Sequence, residues 1–157
     1  MLKNVHIIDW NKLMPALTHL RTDTFLSCLN PTTESVYNLL FLASCLSDAV
    51  SAAYEQQNFQ QQDECALAPC LRAVLDTKAV QKSVSNLVVH TQRLDAETVQ
   101  GGVFNRHDLE VVFRDVFEQT ARASVSLQKA VSNLQNMYTI QRLFPPVTLS
   151  ITDTPVL

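Results

Sequence analysis

Residues 109–138 read LEVVFRDVFEQTARASVSLQKAVSNLQNMY, and the spacing of their apolar side chains decides the fold. Leu109, Val112, Phe113, Val116, Phe117, Thr120, Ser124, Leu127, Val131, Leu134 and Tyr138 recur at intervals of three or four, with two adjacent pairs, 112/113 and 116/117. That repeat lines them up along one face of an α-helix. Asn105 is placed to cap this helix, and Asp108 falls at its third position, where a carboxylate suits the positive end of the helix dipole. Pro145-Pro146 ends it after Phe144. Glu110, Arg114, Glu118 and Arg122 stand four apart with alternating sign, and each such pair supports a helix by about 0.2–0.5 kcal/mol.

The same periodicity continues upstream. Val36, Leu39, Leu40, Ala43, Leu46, Val50 and Ala53 predict a second helix with a wide apolar face, capped by Thr32 or Thr33. That face is expected to pair with the carboxy-terminal helix at the centre of the fold. Asp9 can cap a first helix carrying Trp10, Leu13, Met14, Leu17 and Leu20, with the pattern running on through Phe25, Leu26 and Leu29 to a stop at Asn30-Pro31. Between these, residues 56–64 are glutamine-rich and read as a loop. Residues 65–75 read as a short helix containing Pro69, and Asp76 or Thr77 as the cap of another with Val80, Val84, Leu87 and Val88 on its face. The heptapeptide 81–87 recurs at 128–134 with a single difference, Ser83 against Ala130, and both copies place Val and Leu on a buried face.

The expectation is one all-α domain over residues 1–157, a bundle of four to six helices. An extended arm (1–8) precedes it and an alternating, β-branched tail (145–157) follows. Composition agrees. The chain has only two glycines, Gly101 and Gly102, and they are adjacent, whereas sheets closed by tight turns use glycine at many points. Charged residues are 17%, below the roughly 25% of an average domain. A neutral-polar surface costs less to desolvate, which favours protein partners, the chain's own copies included. A net charge of −3 gives no electrostatic reason to expect nucleic acid or an anionic membrane. The amino terminus lacks a signal-peptide core, no apolar stretch is read as reaching a membrane span, and the four cysteines read as reduced thiols of a cytoplasmic protein.

Sites of chemistry are few. Cys65 and Cys70 flank Pro69 but have no second close pair to complete a zinc tetrahedron, and Cys28 and Cys45 fall on apolar faces. Gly101-Gly102 before Arg106 reads as an interhelical loop and not a phosphate-binding one. His107-Asp108 resembles the adjacent pair of HD-type metal phosphohydrolases, which implies a further His and Asp, with His90 and Asp115 as the nearby candidates. Its place at a helix start is that of a solvated cap. His90, followed by Arg93, resembles the phosphoacceptor turn of histidine phosphotransfer domains, with bulky Leu94 where those domains carry glycine. This reading makes His90 an alternative functional residue. A second alternative is a small-molecule pocket lined by Trp10, Phe113 and Phe117. The preferred expectation is a non-enzymatic binding or assembly protein with no catalytic residue, cofactor or metal. Its partner surface is read on the charge-poor half of the last helix, at Ser126, Lys129, Asn133 and Asn136.

Overall fold

The computed structural model describes residues 8–56, 64–99 and 107–143. Among them every regular element is helical. A single 3₁₀ turn, Trp10–Lys12, leads into α1 (Leu13–Leu29), followed by α2 (Thr33–Gln56), α3 (Glu64–Val99) and α4 (His107–Leu143). The extended arm, the tail, the Gly101-Gly102 loop and the Asn105 cap fall outside the described residues.

Local chemistry sets the helix ends. Asp9 accepts from the amide of Asn11 at 2.9 Å, so it caps the 3₁₀ turn and α1 continues from there. Pro15, the third residue of α1, is exposed and sits where a missing amide costs little. At the start of α2 the Thr32 hydroxyl accepts from the Ser35 amide at 3.0 Å while the Ser35 hydroxyl accepts from the Thr32 amide at 3.1 Å. This is a reciprocal capping arrangement with serine in the usual place of glutamate.

The four helices run alternately up and down. Polar contacts fix the antiparallel register. Thr33 donates to Asp95 and Gln92 to Tyr37 at one end of the α2/α3 pair, and Gln81 donates to Ser44 farther along. Ser83 donates to Asp115 at 2.6 Å between α3 and α4, and Gln135 donates to Asn11 between α4 and the 3₁₀ turn that leads into α1. Each helix packs on its sequence neighbours and α1 closes the ring against α4. The sequence reading put α2 and α4 together at the centre. They instead occupy diagonal corners, and α3 with α4 is the most extensive pair.

Two further expectations change. Residues 65–75 are not a separate piece: α3 runs unbroken for 36 residues, about 54 Å at 1.5 Å per residue. Pro69 lies near its amino end, where losing one backbone bond is tolerable. Asp76 and Thr77 are buried mid-helix. Thr77 donates back to the Ala73 carbonyl at 2.9 Å, and Asp76 pairs with Arg72 at 2.8 Å, so neither is free to cap. In α1, Phe25, Leu26 and Leu29 are exposed, while Thr24 and Ser27 take the inward positions. By length and composition α2 does reach what a membrane span needs, contrary to the sequence reading. Its Val36, Leu39, Ala43, Leu46, Val50 and Ala53 are nevertheless buried within the bundle.

The core runs the length of the bundle, from Trp10, Leu13 and Leu134 at one end through Leu46 and Val80 to Leu39, Leu87 and Phe113 toward the other. Hydroxyl side chains share it: Thr24, Thr91 and Thr120 bond to carbonyls of their own helices, so burial leaves them satisfied. Leu87→Ala is expected to cost about 2–5 kcal/mol of unfolding free energy. Exposed Val89→Ala two residues on should stay within about 0.5 kcal/mol. Urea denaturation of the two variants checks the inward and outward faces of α3.

Candidate functional site

The helix faces that make the core leave a groove on the outer side of the α3/α4 pair. Ala68, Pro69, Arg72 and Asp76 line it from α3, and Arg122, Val125, Ser126 and Lys129 from α4, around a volume of about 620 Å³. The local folding explains its make-up. Residues four apart lie one turn above another, so Arg72 reaches Asp76, whose carboxylate is otherwise buried. Arg122, Val125 and Lys129 follow the same stripe of α4 and all three are exposed. Of the groove's three cations, Arg72 is matched by Asp76. Arg122 and Lys129 have no carboxylate against them among the described residues. The groove therefore carries an apolar strip, Pro69 to Val125, under an excess of positive charge, although the whole chain is net negative.

The four residues read as a partner surface separate in the structure. Lys129 is exposed on the groove rim, Asn136 is exposed and Asn133 half-buried. Ser126 is a correction: it is buried against α3, with its hydroxyl on the Ala123 carbonyl at 3.2 Å. The close approach of α3 takes up the side of α4 that a single-helix pattern leaves free. Arg72, Arg122 and Val125 were missed. The signals were present in the Arg72/Asp76 spacing and in two cations seven residues apart on α4.

His90 is half-buried, and its Nδ1 faces the Asn86 carbonyl at 2.9 Å, which makes that nitrogen the donor. Leu94 turns into the core, so the expected obstruction beside the imidazole is not there. His107 is exposed and meets Glu110 at 3.1 Å, while Asp115 is held by Ser83. His107, His90 and Asp115 are therefore not brought together, and among the described residues no three metal-ligating side chains converge. Trp10 and Phe113 are separate core residues. Phe117, half-buried, borders a shallow groove with Arg21, Thr22 and Phe25, so among the described residues that groove is lined by neither Trp10 nor Phe113.

Cys45 is exposed, not on a buried face, and Cys28 is intermediate. Burial raises the Cys28 thiol pKa, and the Glu110 carboxylate adds to the effect. Cys70, fully buried, is pushed up by burial to about 11 from the ordinary 9.0. Comparison with protein-family models, curated proteins and solved structures gives no match to this chain.

Because the fold holds Cys70 neutral while the unfolded chain ionises it first, its contribution to stability is whole below pH 9 and fades as pH rises toward 11. The melting temperature of the native chain should fall more across that window than that of Cys70→Ala. Parallel thermal scans in alkaline buffers measure the difference, and equal slopes would show that Cys70 is not held neutral.

Proposed function

We propose that this chain is a non-enzymatic, cytoplasmic binding and assembly protein whose helix faces dock on other protein chains, including its own copies. The observation that carries the reading is a reversal of ordinary placement. Thr24, Ser27, Thr91 and Thr120 are buried, while Phe25, Leu26, Leu29 and Phe41 are more than half exposed. A bundle that already has a closed core does not need those large side chains for its own stability, and apolar groups clustered within one turn of a surface helix mark contact surfaces. In α1 apolar residues occupy the inward and the outward side alike, a distribution typical of helices covered on all faces.

The charge-poor composition works in the same direction, since neutral-polar surroundings lower the desolvation cost of association. The test is molar mass by size-exclusion chromatography with light scattering over a concentration series. Mass rising above the monomer is the expected result, and a monomer at every concentration contradicts self-association.

A further inference from the structure

We infer that the occupant of the α3/α4 groove is the outer face of α2 from a second copy of this chain, a contact that rests on the self-association proposed above. Two stripes on the same molecule carry complementary chemistry at the same spacing. On α4, Arg122 and Lys129 stand seven residues apart with Val125 between them, all exposed at the groove. On α2, Asp48 and Glu55 stand seven residues apart with half-buried Ala52 between them, and both acids are exposed. Seven residues of α-helix span about 10.5 Å, so both ion pairs can form at once when the two helices lie side by side. The small side chain of Ala52 then lets the α2 backbone approach Val125.

Charge makes the match selective. α2 contains no Lys or Arg in its 24 residues, and Glu34, Asp48 and Glu55 fall with Phe41 on a single stripe of seven-residue period. The groove holds Arg122 and Lys129 without carboxylate partners among the described residues. Within one chain the two surfaces cannot meet, because α2 sits diagonally across the bundle from α4. The contact therefore joins unlike surfaces of successive copies, the heterologous type that builds rings or chains.

Orientation follows from Phe41, which is 66% exposed. An antiparallel alignment puts Asp48 against Lys129 and Glu55 against Arg122, and carries Phe41 over the neutral stretch at Asn133 and Asn136. A parallel alignment brings Phe41 beside Asp115 and Glu118 instead. The antiparallel arrangement buries the phenyl ring without stranding a charge. Exposed ion pairs contribute about 0–1 kcal/mol each, so the apolar strip holds the contact and the charges choose its register.

The experiment is light scattering on two folded charge-reversal variants, Arg122→Glu/Lys129→Glu and Asp48→Lys/Glu55→Lys, alone and mixed. All four positions are exposed, and circular dichroism checks that each variant keeps the helical fold. Arg122→Gln/Lys129→Gln and Asp48→Asn/Glu55→Gln replace any that does not. Each variant alone should be monomeric where the native chain associates, and the equimolar mixture should associate again. Association of the native chain should also weaken as salt is raised, because exposed charge pairs are screened. If both variants keep the native mass, the groove contact is overturned while self-association stands. If the native chain itself never leaves the monomer, both fall, and an acidic helix of another protein becomes the occupant to seek.

Discussion

The continuity of α3 is the constraint on which the rest of the bundle depends. Its partner α4 is a helix of 37 residues, and only an unbroken α3 can cover that length. Three features on α3 invite a break: Pro69, Asp76 and Thr77. Each is neutralised locally, the proline by its place near the helix start and the other two by bonds within the helix, Arg72 to Asp76 and Thr77 to Ala73. Farther along, Ser83 reaches Asp115 across the pair and holds the register. Interrupting α3 at residue 76 would disperse the residues lining the groove from both helices. The groove is thus a consequence of helix continuity and not a separately built feature.

Helical class and element order were legible because long segments obey a single period. Leu109, Phe113, Val116, Leu127 and Leu134 were read as one face and are buried together, as are Val36, Leu39, Ala43, Leu46 and Val50. Boundaries were less legible where two mechanisms compete for the same residue. Asp and Thr favour helix caps because their side chains bond backbone amides, yet the same groups can bond within a helix when a neighbour or carbonyl is presented. Asp76 and Thr77 do the second. Which one happens depends on whether the helix gains tertiary contacts by continuing, and α4 supplies them here.

The internal echo has a similar explanation. Val84 and Leu87 are buried, as is Leu134, with Val131 partly covered. The single difference, Ser83 against Ala130, falls at buried positions in both copies, where only small side chains fit. The α3/α4 register set by Ser83 and Asp115 places the two copies toward opposite ends of the pair. They share an amphipathic solution to helix packing and do not sit opposite one another as a repeat would.

The apolar face of α1 shows where a one-dimensional pattern loses to a close approach. Phe25, Leu26 and Leu29 continue a helical sequence of apolar residues and were read as core, but the bundle narrows where α1 turns into α2. At that point the Ser27 and Ser35 hydroxyls are 2.8 Å apart, a distance that admits hydroxymethyl groups and excludes a leucine or phenylalanine between the helices. The Thr24 hydroxyl, bonded to the Leu20 carbonyl, fills the preceding inward position for the same reason. With small polar residues required inside, the large apolar ones lie on the outer half of the helix. Their exposure is therefore not a defect of packing that a larger core would cure. It follows from the tight α1–α2 turn, which sets the backbone positions from which these side chains project. The backbone beneath them is already ordered by the turn, so a contact at this face would cost the ordering of side chains alone.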